Sequence, residues 1–102
     1  MFKVAICDDD VSYRKSIRNL IAANDTLCRD VLFYEYSSGE ELLADIGQMH
    51  NLLFLDIQMP GIDGNETAKA FRMLIKKLFW YSVQIIKIQR LSHLKCSHID
   101  IL

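Results

Sequence analysis

The sequence lacks the material for several classes of protein. Three cysteines, Cys7, Cys28 and Cys96, are scattered and odd in number, which argues against a disulfide framework and for a reducing, cytoplasmic setting. No apolar run approaches the ~20 residues of a membrane span. Met1 runs straight into FKVAIC without a basic region, long apolar core and cleavage site, so no signal peptide is expected. Net charge is only −1, so no global field favours nucleic acid or a membrane surface. Internal repeats and low-complexity tracts are absent. Proline occurs once, at Pro60.

One scarcity is local. The last 27 residues, KKLFWYSVQIIKIQRLSHLKCSHIDIL, contain no Gly, Pro or Ala. They carry 1 acidic side chain against 5 basic ones, whereas residues 1–75 carry 12 against 7. Something changes near Lys76, and a shifted reading frame or a truncated gene would account for it.

What is present is ordinary globular composition, 51% hydrophobic and 25% charged, with length for one domain. Phe2–Cys7 is a short apolar run that stops at three aspartates, and it reads as a buried strand. Val11–Asn24 places Ile17, Leu20 and Ile21 at helical spacing. Asp30–Tyr36 (DVLFYEY) reads as a second strand. Ser37-Ser38-Gly39-Glu40-Glu41 looks like a capped helix start, running to about Gln48. Leu52–Leu55 predicts a third strand, and Asn65–Leu78 a third helix. Apolar strands alternating with helices through short connections predict an α/β fold: a doubly wound parallel sheet flanked by helices.

The tail is ambiguous. Ser82–Ile88 is β-branched enough for a fourth strand, the favoured reading. Yet Ile85, Ile88, Leu91 and Leu94 recur every three residues, so a continuation of the third helix is also open. Residues 90–102 fit helix, strand or neither.

Two strands end in acid, the first at Asp8-Asp9-Asp10 and the third at Asp56. Sites in open α/β sheets form at the carboxyl ends of strands. If the two strands are neighbours, their carboxylates converge and repel unless a cation joins them. Hard oxygen ligands with room for water suit Mg²⁺, and a carboxylate beside it can act as a nucleophile toward a phosphoryl group. A backbone carbonyl within Ile57–Met59 would complete the metal shell. Asp10 and Asp63 read more simply as helix caps. Spacing alone leaves a metal site and a set of turn residues both open.

Three segments carry a resemblance: VAICDDD (Val4–Asp10), GEELL (Gly39–Leu43) and LLFLDIQMPGIDGNETAKAFR (Leu52–Arg72). Together they resemble the receiver domain of two-component response regulators, and their wording is most similar to receivers attached to LytTR-type DNA-binding domains. The resemblance implies a flavodoxin-like receiver fold with strand order 2-1-3-4-5. It implies Asp56 as the phosphoacceptor, Mg²⁺ held by Asp8, Asp9, Asp56 and the carbonyl of Gln58, and a histidine kinase as donor. It implies a cytoplasmic signalling module that does not itself turn over substrate, with any nucleic-acid contact left to a downstream domain absent from this chain.

Resemblance covers residues 1–75, within a single receiver-like domain of residues 1–102 whose stretch 76–102 is a divergent tail. The family's five strands and five helices do not fit the remaining length, so the fold is expected to be incomplete at the C-terminus. A Ser or Thr ending the fourth strand, a Lys-Pro step after the fifth and an aromatic readout residue on the fifth all lack a clear match. Neither Lys87 nor Lys95 is an evident substitute. The alternative is therefore a switch-defective receiver acting as an interaction module, a homodimer formed through the C-terminal segment. An aspartate-based phosphatase fits less well, because Asp56-Ile57-Gln58 is not a D-x-D motif. His93, Cys96 and His98 lack a fourth zinc ligand, the basic tail with Phe79, Trp80 and Tyr81 reads as a solvated or packing face, and Cys7 reads as a small buried hydrophobe.

Overall fold

A computed structural model describes residues 2–23, 30–79, 82–91 and 96–101, with the side chains of residues 90, 91 and 96–101 excepted. The element order is β1 (Phe2–Cys7), α1 (Val11–Ala22), β2 (Val31–Tyr36), α2 (Gly39–Ala44), a 3₁₀ turn (Ile46–Gln48), β3 (Leu52–Asp56), α3 (Gly64–Leu74), a π-helical turn (Ile75–Phe79), β4 (Gln84–Leu91) and β5 (Cys96–Ile101). One five-stranded sheet runs in the order β2-β1-β3-β4-β5.

The central strands form because both of their faces are covered. Along β1, Val4 and Ile6 enter the cluster beneath α1 with Ile17, Phe54 and Ile88. Ala5 and Cys7 enter the larger cluster beneath α2 and α3, with Leu42, Leu53, Leu55, Phe71 and Ile85. Alternation along a strand thus feeds two apolar layers, as a parallel sheet requires. β2 departs from the expectation of burial on both faces. It is an edge strand, and most of its residues are half-buried.

Each helix starts where an oxygen accepts its free amides. Asp10 Oδ1 accepts from the amides of Ser12 and Tyr13, Ser38 Oγ from Glu41, and Asp63 Oδ1 from Glu66. Asp10 and Asp63 are therefore the caps that the sequence suggested. The second helix is shorter than expected, because its last turn tightens into the 3₁₀ turn. The third starts one residue earlier, at Gly64, and ends in the π-helical turn.

The fourth strand is real, displaced by two to three residues from the expected Ser82–Ile88. It pairs parallel with β3 from Leu52↔Gln84 to Asp56↔Ile88, which excludes the helical continuation. β5 pairs antiparallel with β4, from Ile86↔Ile101 to Leu91↔Cys96. Four residues separate the two strands. A parallel return needs a crossover of a dozen or more residues, whereas an antiparallel one needs only a short turn. Among the described residues there are three α-helices, against the five that the resemblance implied. Asn24, Cys28, Trp80, Tyr81, Ser92, His93, Leu94 and Lys95 lie outside the described residues, as do the side chains of Cys96 and His98. No helix among the described residues is long and apolar enough to cross a membrane.

A polar network lies inside the larger core. His50 is 0% exposed, and the rings of Tyr34, Tyr36 and Phe71 surround it. The Tyr36 hydroxyl donates to Asp45 Oδ2 at 2.5 Å and lies 2.8 Å from His50 Nε2. With its proton committed to Asp45, the hydroxyl oxygen can only accept, so Nε2 carries the imidazole hydrogen. Nδ1 is buried and finds no hydrogen-bond partner among the described residues. A second proton would have to sit there, in apolar surroundings, and burial holds the imidazole below its ordinary 6.5.

The unfolded chain accepts that proton near the ordinary value and the folded chain resists it. Stability is therefore full above about pH 6.5 and falls as the pH drops below it. We expect a slope of up to ~1.4 kcal/mol per pH unit from this group. Urea midpoints measured at pH 7.5 and 5.5 check it, and His50→Gln should lose that part of the slope.

Candidate functional site: an acidic pocket at the carboxyl end of the sheet

β1 lies between β2 and β3, so the chain leaves β1 toward one side and returns on the other. The crevice above that reversal is where an open α/β sheet builds a site. Register places both acidic strand ends there. Cys7 lies opposite Tyr36 and Leu55, so the next residues along each strand, Asp8 on one and Asp56 on the other, emerge side by side.

One carboxylate oxygen from each of Asp8, Asp9 and Asp56 lies within 4.8 Å of the others. Asp8 is 1% exposed and Asp56 0%, whereas Asp9 faces solvent. The backbone holds the two buried groups in place. Asp8 Oδ1 accepts from the Asp10 amide at 2.9 Å, and Asp56 Oδ1 from the Gln58 amide at 2.9 Å. The Asp8 amide donates to the Tyr36 carbonyl. The Ile57 amide donates to the Ile88 carbonyl, which ties the chain after Asp56 to β4.

The field of the pocket is negative. Burial pushes the neighbouring Cys7 thiol up to about 12, and the charges of Asp8, Asp56 and Glu41 add to the shift. Cys7 is thus a buried thiol facing Met59 and the Ser38 carbonyl, in line with its reading as a hydrophobe. Three hard carboxylate oxygens, two buried and one open to water, fit a small oxygen-seeking divalent cation. Gln58 comes two residues after Asp56, so its carbonyl belongs to the same loop.

Sequence reasoning passed over Arg14 and set Lys87 aside as no evident substitute for the family's lysine. Arg14, on the first turns of α1, donates to the Asp8 carbonyl at 2.6 Å and to Glu35. Lys87, on β4, donates to Asn65 Oδ1 at 2.9 Å. A Cβ on Gly64 would stand 2.3 Å from the Asp56 carbonyl oxygen and 2.4 Å from Ile57 Cα, so the start of α3 rests on the backbone of the loop after Asp56.

The family model of the response regulator receiver domain matches residues 4–89. The chain belongs to that family. It is a phosphoacceptor receiver module of two-component signalling, and the match runs past residue 75 through most of β4. A curated relative, the protein-glutamate methylesterase/protein-glutamine glutaminase of Trichodesmium erythraeum (strain IMS101), is 38% identical over 78 residues, which are 76% of this chain and 21% of that protein. The receiver thus spans about a fifth of the relative's length.

Solved structures share the fold. The chemotaxis protein CheY4 of Vibrio cholerae is 26% identical with a TM-score of 0.68, over 85% of this chain and 67% of that one. The receiver domain of the histidine kinase CKI1 from Arabidopsis thaliana, solved with Mg²⁺ and BeF₃⁻, is 22% identical with a TM-score of 0.71, over 86% and 65%. The response regulator domain of Thermotoga maritima CheB is 21% identical with a TM-score of 0.69, over 90% and 63%.

Proposed function

We propose that this receiver takes a phosphoryl group on Asp56 from the phosphohistidine of a histidine kinase in the cytoplasm, with Mg²⁺ held by Asp8, Asp9, Asp56 and the Gln58 carbonyl. Residues 1–102 act as one receiver unit, of which 76–102 is the divergent part. The observation that carries the reading is the convergence of three carboxylate oxygens within 4.8 Å, two of them buried, at the carboxyl end of neighbouring strands.

The geometry supports this chemistry. When bound, Mg²⁺ would neutralise charge on the transferring group and the carboxylates. The Gln58 amide orients the Asp56 carboxylate through Oδ1, and one carboxylate oxygen is the nucleophile. That oxygen forms a bond to phosphorus as the bond from phosphorus to the donor breaks. The electron pair leaves with the donor, which takes up a proton if it is an imidazole. Burial of Asp56 keeps bulk water from competing at the acceptor.

The test uses acetyl phosphate as a small donor, with intact mass read after incubation. The wild-type chain should gain one phosphoryl group in Mg²⁺ and none in excess EDTA. No gain in either condition overturns the reading.

One observation favours a second role beside this one. β5 stands at the edge of the sheet and, among the described residues, pairs only with β4. An open edge strand is a template for pairing with a second chain. A homodimer through the C-terminal segment would be seen by size exclusion with light scattering, and a monomer at high concentration argues against it.

A further inference from the structure

A carboxylate moves with the Cα that carries it, so a metal ligand needs its backbone held as firmly as its side chain. The Asp8 backbone is held at two points. Its amide donates to the Tyr36 carbonyl at 3.0 Å, and its carbonyl accepts from Arg14. Tyr36 is the last residue of β2, an edge strand that pairs only with β1 among the described residues. Strand ends with a neighbour on one side only open at low free energy. The ladder alone therefore holds Tyr36 weakly.

The phenol supplies the missing hold. The Tyr36 side chain is buried in the same cluster as Cys7, Leu53 and Leu55. Its hydroxyl donates to Asp45 Oδ2 and accepts from His50 Nε2. Asp45 caps the end of α2, and His50 stands two residues before β3. One hydroxyl thus ties the end of β2 to the end of α2 and to the entry of β3. Burial, then the Asp45 carboxylate, raises the Tyr36 hydroxyl above its ordinary 10, so it keeps its proton at neutral pH. A phenylalanine would fill the space of the ring without this desolvation cost, and His50 Nδ1 is left without a partner among the described residues. What such a network adds to a core is a single fixed geometry.

We propose that Tyr36, locked by Asp45 and His50, is a positioning residue for Asp8. This rests on the reading of Asp8 as a Mg²⁺ ligand. The network fixes the Tyr36 carbonyl, and that carbonyl fixes the backbone from which the Asp8 carboxylate reaches Asp9 and Asp56. The links act in series, from His50 to the hydroxyl, through the residue to its carbonyl, and on to the Asp8 amide. None of the three side chains touches the metal. Groups that orient metal ligands from behind set affinity by about tenfold to a hundredfold, and loss of the hydroxyl frees the Tyr36 carbonyl to shift with Asp8 behind it.

The experiment compares wild type with Tyr36→Phe, His50→Leu and His50→Gln, the last of which keeps an N–H donor where imidazole Nε2 stands. Ile17→Val, in the cluster beneath α1, controls for lost stability. Mg²⁺ affinity is read by calorimetry, and exchange of the Asp8 amide by NMR in EDTA, with the Ala5 amide of β1 as internal reference. Tyr36→Phe and His50→Leu should each weaken Mg²⁺ binding by about tenfold and speed Asp8 exchange relative to Ala5. The double variant should bind no more weakly than either single one, because both cut the same series. His50→Gln should recover most of the wild-type affinity. Ile17→Val should speed both amides alike and leave Mg²⁺ affinity unchanged. If Tyr36→Phe does not fold, His50→Leu against His50→Gln carries the same test. Wild-type affinity in Tyr36→Phe or His50→Leu, or equal losses in His50→Leu and His50→Gln, overturns the proposal while the metal site stands. If wild type binds no Mg²⁺, both fall.

Discussion

Asp56→Asn should abolish the mass gain from acetyl phosphate completely while leaving a folded, and in EDTA more stable, protein. The two effects have one origin. Asp56 is fully buried within 4.8 Å of the other carboxylates, and like charges so placed repel. Asparagine keeps the shape and can keep an oxygen on the Gln58 amide, but it carries no charge and is too poor a nucleophile to accept phosphorus. Without metal, the repulsion it removes should raise the urea midpoint. With Mg²⁺ the order should reverse, because wild type gains RT ln(1 + [L]/Kd), or ~2.7 kcal/mol at a hundredfold excess over Kd, and the variant gains less. A variant that still takes up one phosphoryl group would move the acceptor elsewhere. A variant that melts early in EDTA would mean that Asp56 is a structural residue.

Gly64→Ala should be strongly damaging for the addition of one methyl group. The new Cβ would meet the Asp56 carbonyl oxygen at 2.3 Å, Ile57 Cα at 2.4 Å and the Asp56 carbonyl carbon at 2.8 Å. All three are backbone atoms, so no side chain can swing aside. Either α3 lifts or the end of β3 shifts, and the Gly64 amide loses its bond to the Ile57 carbonyl. Overpacking of this kind costs about 1–3 kcal/mol. A displacement approaching 1 Å at the Asp56 carboxylate should slow phosphorylation by about a hundredfold if Asp56 is the acceptor proposed above. Gly47→Ala is the control, since nothing lies within 4 Å of its Cβ position, and it should change stability by less than ~0.5 kcal/mol. Chemical denaturation and phosphorylation rate, measured on both variants, separate the two cases. Equal behaviour would refute the contact.

The acidic half of the site was legible because each acid directly succeeds a run of apolar residues. FKVAIC and LLFL announce buried parallel strands, so the acids at their carboxyl ends, Asp8 and Asp56, must surface at the same end of the sheet. The two helix caps at Asp10 and Asp63 were legible for a similar reason, since capping is a local interaction. β4 was less clear because a three-residue recurrence through Ile85, Ile88 and Leu91 overlays the β-branched run. Only the hydrogen-bonded ladder from Leu52↔Gln84 to Asp56↔Ile88 decides between them. The direction of β5 became legible only once both strands were placed, since the four residues between them are too few for a parallel crossover. The rest depends on three-dimensional proximity. His50 beside Asn51 reads as a loop residue, and nothing in the order of residues brings it to Tyr36 and Asp45. The pairing of Lys87 with Asn65 across 22 positions is equally invisible in one dimension.

The antiparallel β4–β5 pair also bears on how the sheet assembles. Its partners are 5 residues apart at Leu91↔Cys96 and 15 at Ile86↔Ile101, whereas β1 and β3 join Val4 to Leu52, 48 apart. Closing a short loop forfeits less chain entropy than closing a long one, and hairpins form within ~1–10 μs. The outer two strands can therefore meet before the long crossovers close. In that order of events the sheet grows by docking a ready-made ribbon onto β3, and the slow steps belong to the acidic half of the molecule, whose two strands must find each other across α1, β2 and α2.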